Sequence, residues 1–447
     1  MHKIVHKTKN PYTRFGKGFI FHPPALQEKE VPVFDPKRRV VVTGIGAYTP
    51  LGKNVPETYG GLLMGHTGIS QITSFDTSGF ATTIAGEIHF DPLQYFESKE
   101  ARQLDRLAQL GIIAADEALS ETCIPDGAKG SLERAGVIIG VGAVGFHTTE
   151  TQIQVLHTKG PRRVSPHALV MFQPDAVTGA IARRFKLRGP SQTVNSACSS
   201  GSDAIKCARA SILLGEADLI VTGGIGAEIT PFGLATFGQM RALSTRNGDP
   251  AGASRPFSEG RDGFVLGEGA VILVLESLDS AQRHGVPILA EIIGCGQTTD
   301  TYHPTEPDPQ GSAAVQAMRI ALADAGIAPE GVDLISTHGT GTVYNDSMEA
   351  AAIREVFESA SAYPLVNATK SMAGHLIGGA GPLGALSVIE SMVTGRVHPT
   401  RNLSIPDKGC ELNHVLQEQE ARINIGMVNA FGFQGHNTVL LFRRYVP

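Results

Sequence analysis

The chain has 447 residues, of which 42% are hydrophobic and 18% charged, with a formal net charge of -5 at pH 7. That length holds one large or two medium domains with a sizeable buried core. The mild acidity speaks against nucleic acid as the main partner, and apolar runs no longer than a strand speak against a membrane span.

In chain order, residues 1–37 come first. They are basic and acid-poor through residue 27, with no helical period and no secretory apolar core, and they read as an N-terminal arm. From Arg39 the pattern becomes "RVVVTGIG", a β-branched run suited to a parallel strand buried on both faces. Further buried strands are read at "AGVIIGVG", "SQTVNSA", "ADLIVTGG", "AVILVLES", "VDLISTH", "PLVNATK" and "HNTVLLF". Ala-rich helical segments lie between them at 106–120, 199–214, 312–326, 347–359 and 380–394. The alternation predicts an α/β fold with parallel-rich sheets covered by helices. "TVNSACSSGSDAIKCARASI" and "LVNATKSMAGHLIGGAGPLGALSVI" share one plan of strand, small residues and apolar helix, which suggests a duplication. The expected division is 38–290 and 291–447.

The five cysteines, at 123, 198, 207, 295 and 410, form no CxxC pair or regular framework, so reduced thiols in the cytoplasm are expected. Cys198 is singled out by its place between a strand and a helix. Free N–H groups and the helix dipole at such an N-terminus favour a thiolate, and the small neighbours Ala197, Ser199, Ser200 and Gly201 leave room for a substrate. A buried structural cysteine is the plain alternative, and Cys207 on the same helix fits that description. The 198/207 spacing matches no common zinc pattern.

Partners for a nucleophile appear in the second half. "STHGTGT" puts His338 after an apolar strand, and "NATKSMAGHLIGGAGPLGA" holds Lys370 and His375 after another. "NAFGFQGHNTVLLF" reads as a glycine-punctuated loop leading into a last strand. Carboxyl ends of strands are where ligands collect in α/β sheets.

These residues, with "GPSQTVNSACSSG", "RALSTRNGDPAGASRPFSEGRDGFVLGEGA" and "TKSMAGHLIGGAGPLGA", resemble the β-ketoacyl-acyl-carrier-protein synthase II family, elongating condensing enzymes of the thiolase superfamily, from about residue 38 to the end. The resemblance implies a duplicated, five-layered α/β/α/β/α sandwich. It implies decarboxylative condensation of malonyl-carrier-protein with an acyl chain held on Cys198, in fatty-acid or specialised polyene or polyketide synthesis. The backbone N–H groups of Cys198 and Phe433 would form the oxyanion hole, with Phe433 as a gate. His338 and His375 would hydrogen-bond the malonyl thioester, Lys370 paired with Glu349 would fix them, and Thr340 and Thr342 would line the pantetheine path. An acyl pocket would involve Ala143, Phe172, Gln434 and His436. An acyl carrier protein would dock on Arg162, Arg163 and Arg241, with Lys99, Arg102 and Arg106 extending the patch. No cofactor of its own is implied, since 4'-phosphopantetheine arrives on the carrier, and no metal. The expected assembly is a homodimer, or a heterodimer.

Two departures stand out. The family's last loop reads F-G-F-G-G-T-N, whereas "FGFQGHN" carries Gln434 and His436, and "SPHALVMFQPD" places Phe172 where a small polar residue is usual. Rival readings are a ketosynthase subunit of a heterodimeric ketosynthase/chain-length-factor pair and, less well matched, a thiolase, whose second catalytic cysteine Cys410 in "PDKGCELN" does not supply. "GVGAVG" at 140–145 satisfies G-x-G-x-x-G, but without the acidic residue of a dinucleotide site some twenty residues on.

Overall fold

A computed structural model describes residues 38–120, 122, 132–358, 360 and 363–446; the N-terminal arm expected at 1–37 and Cys123 lie outside these. Ten strands form one mixed sheet. They are β1 (Val40–Tyr48), β2 (Ala135–Val141), β3 (Ser191–Val194), β4 (Leu219–Gly226), β5 (Gly269–Ser277), β6 (Ala290–Thr299), β7 (Leu334–Ser336), β8 (Leu365–Asn367), β9 (Ile425–Gly432) and β10 (His436–Arg444). Six helices cover them: α1 (Arg106–Ser120), α2 (Ala176–Phe185), α3 (Ser200–Leu213), α4 (Ser312–Ala325), α5 (Val343–Phe357) and α6 (Ala380–Thr394).

The spatial order is β3-β2-β4-β5-β1-β6-β10-β9-β7-β8. Each run of five strands therefore has the same arrangement about its own chain order, third-second-fourth-fifth-first. In both, the second strand pairs parallel with the third and fourth, and the fifth runs antiparallel to its two neighbours. The halves meet where β1 and β6 pair through only Val41–Glu291 and Val42–Ala290. The weak echo in the sequence is thus a full topological duplication.

Helices α3 and α6 pack on one another and lie between the two five-strand sheets. Their apolar faces (Ala204, Ile205, Ala208 and Ile212; Leu383, Leu386 and Ile389) share one core with Ile220, Leu273 and Leu440. Helices α1 and α2 cover the outer face of the first sheet, and α4 and α5 that of the second. The result is five layers. Among the described residues no helix is long and apolar enough to cross a membrane.

Three strand readings are corrected. β1 is buried at all nine positions as expected, but it runs antiparallel to both neighbours; an apolar run reports burial on two faces, not direction. β3 is not a buried strand: it forms the sheet's edge, with its residues exposed or half-buried. The stretch read as a loop before the last strand belongs largely to β9, which was not anticipated, and neither was β6. Their glycines are helix-contact residues: a Cβ at Gly296 would lie 1.9 Å from the Ala317 carbonyl oxygen, and one at Gly294 would lie 2.4 Å from that of Ala321.

Candidate active site

Cys198 sits in a 3-10 turn, Ala197–Ser199, that leads straight into α3. The turn is entered through Ala197 at φ 52°, a left-handed conformation costing a residue with a Cβ about 1–2 kcal/mol. Ser200 stabilises it, its Oγ accepting from the Ser196 N–H at 2.9 Å and donating to the Ala197 carbonyl at 2.6 Å. The sulfur faces a cleft of about 250 Å³ that is also lined by His338, Thr340, Thr342, His375 and Phe433. The glycines at 140–145 serve this packing rather than a phosphate. A Cβ at Gly140 would lie 2.2 Å from the Ser200 backbone, and one at Gly142 would lie 2.2 Å from the Ile377 side chain.

Burial opposes the thiolate that the helix N-terminus favours. Cys198 is 6% exposed, and burial pushes its thiol up to about 11. The Lys370 ammonium pulls it down, Glu228 pushes it up, and the N–H groups of Phe433 and of Cys198 itself, which face the sulfur, pull it down. Those donors are stronger partners for an oxygen anion than for a thiol. Phe433 reaches this position because residue 432 is a glycine: a Cβ there would lie 2.6 Å from the Ser196 carbonyl oxygen and 3.2 Å from the Cys198 nitrogen.

Both imidazoles are neutral, held well below the ordinary histidine range by burial and then by the Lys370 charge. The rings stand edge to face, 5.5 Å apart between centroids. Nδ1 of His375 accepts the Ile377 N–H at 3.1 Å, so the ring proton resides on Nε2, which is buried without a hydrogen-bond partner and belongs to the cleft lining. Ile377 takes φ 47° to make this contact. Nδ1 of His338 lies 3.4 Å from Nζ of Lys370, which again leaves the proton on Nε2. The Lys370 ammonium also donates to the His338 carbonyl, and burial pushes Lys370 down to about 8.

Glu349 is not in contact with Lys370 as expected. Its carboxylate accepts the backbone N–H groups of His338 and Gly339, both at 2.8 Å, and Nδ2 of Asn429 at 3.0 Å. Burial raises it to about 7, and it acts on Lys370 through space. Asn429 lies in the "NAFGFQG" stretch, whose pattern marks no role for it. Asp346 is a further site residue that the motifs do not mark. Fully buried, it accepts N–H groups from Phe257 at 2.7 Å, Thr340 at 3.0 Å and Gly341 at 3.1 Å, and so shapes the turn after His338. The signal available was an acidic residue in the first turn of a helix following a Gly/Thr loop. Thr340 and Thr342 stand together, their hydroxyls 2.9 Å apart.

The expected acyl-pocket residues do not converge on this cleft. Gln434 adopts φ 63°, ψ 17°. That left-handed turn gives its N–H to the Pro304 carbonyl at 2.7 Å and leaves the residue exposed. His436 pairs with Thr299 as the first residue of β10. Phe172 is 36% exposed and lies against Gly145, while Ala143 is half-buried just beyond β2. Of the basic patch, Arg241 lines the cleft, whereas Arg162 and Arg163 are exposed on a separate 3-10 turn. Arg106 does not extend the patch: it is largely buried and grips Glu268 through two nitrogens. Cys207 is half-buried against the central core, and Cys295 and Cys410 are buried outside the cleft. Among the described residues no cluster of His, Cys, Asp or Glu could hold a metal.

Residues 37–281 match the family model for the β-ketoacyl synthase N-terminal domain, and residues 289–404 that for the β-ketoacyl synthase C-terminal domain. The chain is 43% identical over 410 residues to 3-oxoacyl-[acyl-carrier-protein] synthase 2 of Staphylococcus aureus strain COL, covering 91% of this chain and 99% of that protein. Among solved structures it is similar to the ishigamide ketosynthase/chain length factor, with a TM-score of 0.84 at 34% identity, covering 92% of this chain and 100% of the other. It is also similar to a type II PKS ketosynthase bound to the hexaketide and in complex with its acyl-carrier protein, with a TM-score of 0.84 at 28% identity and the same coverages.

Proposed function

The chain belongs to the β-ketoacyl synthase family, and on that premise we propose that it condenses an acyl chain held on Cys198 with malonyl-carrier-protein. The observation that carries the reading is the convergence of a thiol, two backbone donors and two imidazoles, each with its Nδ1 engaged and its proton on Nε2, on one cleft. The Cys198 sulfur attacks the acyl thioester carbonyl, and the N–H groups of Cys198 and Phe433 hold the oxygen anion. The carrier leaves as its free thiol with the proton from Cys198. Malonyl-carrier-protein then enters and its C–C bond to the carboxylate breaks, releasing carbon dioxide. The electron pair moves onto the thioester as an enolate, whose oxygen accepts hydrogen bonds from Nε2–H of His338 and His375. Its carbon attacks the acyl-cysteine carbonyl, forming the new C–C bond, and the Cys198 thiolate departs.

Neutral imidazoles suit this work because each offers one donor without a second positive charge beside Lys370. Lys370 and Glu349 act as positioning residues, the first through the His338 ring and carbonyl, the second through the N–H groups of His338 and Gly339. The acyl donor is an acyl carrier protein bearing 4'-phosphopantetheine, and Arg162, Arg163 and Arg241 contribute to its docking. Cytoplasmic location and a homodimer complete the reading; the exposed edge of β3 supports pairing with a second copy. The likeness to a ketosynthase/chain length factor favours one second reading, pairing with a related partner subunit.

The test is to incubate the protein with acyl-carrier-proteins of several chain types and follow its intact mass. An acyl adduct on the peptide holding Cys198, followed by a β-ketoacyl product and carbon dioxide once malonyl-carrier-protein is added, is the expected result. Absence of any adduct across the panel would reject the reading.

A further inference from the structure

Just beyond the end of β4 stands a titratable group that the condensation above does not use. Glu228 is 1% exposed, and both its carboxyl oxygens are buried without a hydrogen-bond partner among the described residues. The N–H groups of Ala143, Ala227 and Glu228 itself face the carboxyl, short of hydrogen-bond geometry. Buried polar side chains are nearly always paired, and an unpaired one calls for a reason. Room for the group comes from Gly226, where a Cβ would lie 2.9 Å from Oε2 of Glu228 and 2.1 Å from the Leu376 carbonyl oxygen. Burial pushes the acid up to about 8, so it keeps its proton at neutral pH. In that form it offers one O–H donor and free acceptor positions.

Its surroundings tie it to the nucleophile. β2 and β4 are parallel neighbours that end together, Val141 beside Ile225, so Ala143 and Glu228 leave adjacent strand ends, where ligands collect. Gly142, just before Ala143, packs on the Cys198 elbow: a Cβ there would lie 3.2 Å from the Ala197 carbonyl oxygen. Glu228 is close enough to Cys198 to push its thiol up. The apolar side chains gathered about Cys198 include Ile229, the next residue, with Leu234, Phe264 and Ile377. Ile229 also lines a second cavity, of about 800 Å³. The cleft of about 250 Å³ is taken up by the arm that delivers an acyl chain, so the chain itself extends from the sulfur among these side chains. A plain hydrocarbon laid there leaves the Glu228 carboxyl unpaired, whereas a chain bearing an oxygen can pair it.

We propose that Glu228 is a specificity-determining residue that selects an oxygenated acyl chain, its carboxyl hydrogen-bonding a hydroxyl or carbonyl oxygen of the chain held on Cys198. This rests on the acyl-cysteine reading above and names the class of chain that the site takes. A saturated chain of the same length fits the apolar side chains but forfeits that bond, and so loads more slowly.

The test compares loading of Cys198 by octanoyl-acyl-carrier-protein with loading by its 3-, 5- and 7-hydroxy forms, followed over time by intact mass. The wild-type protein should load at least one hydroxylated donor about tenfold faster than the saturated one. Glu228→Gln keeps a donor and an acceptor in the same shape, and should retain the preference for that donor. Glu228→Leu removes both, and should lose the preference while loading octanoyl faster than the wild type does. A wild-type protein that prefers no hydroxylated donor overturns the proposal, whatever the variants do. So does a preference that survives in Glu228→Leu, or one that disappears equally in Glu228→Gln. Failure of the wild-type protein to load any of the four donors rejects the acyl-cysteine reading itself, which is a different outcome from loading without preference.

Discussion

The two five-strand halves share one topology and divide the chemistry unequally. In each, the third strand ends in a short segment that turns through a 3-10 element into a middle-layer helix: Ala197–Ser199 into α3, and Ile377–Gly379 into α6. In each, the first residue of that element has a side chain and a positive φ, 52° at Ala197 and 47° at Ile377. The next position is Cys198 in one half and Gly378 in the other. The second half has no room for a side chain there, because a Cβ at Gly378 would lie 2.5 Å from the Ile225 carbonyl oxygen and 2.9 Å from the Gly142 nitrogen. Its functional groups instead come from just before the turn, at Lys370 and His375, and from the end of β7, at His338. A duplicated scaffold thus offers two equivalent elbows; one carries the reactive atom and the other packs against it and orients the donors.

The sharpest way to break that comparison is to empty the first elbow. Cys198→Ala should abolish acyl-enzyme formation, read by intact mass, while Cys207→Ala on the same helix leaves loading near the wild-type level. Filling the second elbow should have a smaller, structural effect. Gly378→Ala forces backbone contacts apart and should cost about 1–3 kcal/mol of stability in denaturant unfolding, with loading impaired even at temperatures where the protein stays folded; an unaffected unfolding midpoint would mean that the contact relaxes freely.

Charge coupling across the halves is tested by alkylation. Burial pushes the Cys198 thiol up, so its rate of reaction with iodoacetamide should climb with pH toward about 11 instead of levelling at the ordinary thiol value of 9.0. Lys370 pulls that thiol down while its ammonium is charged, so Lys370→Met should slow the reaction below about pH 8 and leave the rate near pH 11 unchanged. An unchanged rate below pH 8 would remove Lys370 from the environment of the sulfur. The smallest effect is expected at the loop between β9 and β10. Gln434→Gly relieves a left-handed residue at φ 63° but loosens the unfolded chain, two effects of about 1 kcal/mol that oppose each other. Stability should barely change, while poorly accepted acyl donors load Cys198 faster; an identical donor profile would place selectivity elsewhere.

Much of this was legible in the sequence, for identifiable reasons. Strand-length apolar runs marked eight of the ten strands, and the small residues around Cys198, His338, Lys370 and His375 marked the ends where ligands gather. β6 and β9 were hidden by glycines whose purpose is helix contact, as at Gly294 and Gly296, which one-dimensional reading takes for turns. Strand direction in β1 and the edge position of β3 depend on neighbours far away in sequence. None of the four residues assigned to an acyl pocket lines the cleft with Cys198, and for Gln434 a left-handed turn exposes the residue, which a motif comparison does not reveal. Asp346 and Glu349 shape the site mainly through the backbone N–H groups they accept, and that kind of role leaves little trace in residue type. At Cys198 the helix terminus that favours a thiolate is visible in the sequence, and the burial that opposes it is not.

The central claim is that the first half loads the acyl chain and the second half drives the condensation. His375→Ala tests it most directly, with intact mass reporting acyl-Cys198 and product formation reporting condensation in the same sample. The account predicts that the variant is acylated by an acyl-carrier-protein donor, while condensation with malonyl-carrier-protein falls by about a hundredfold or more, as loss of a buried donor to a developing oxygen anion implies. Condensation at the wild-type rate in a protein lacking the His375 ring would contradict it.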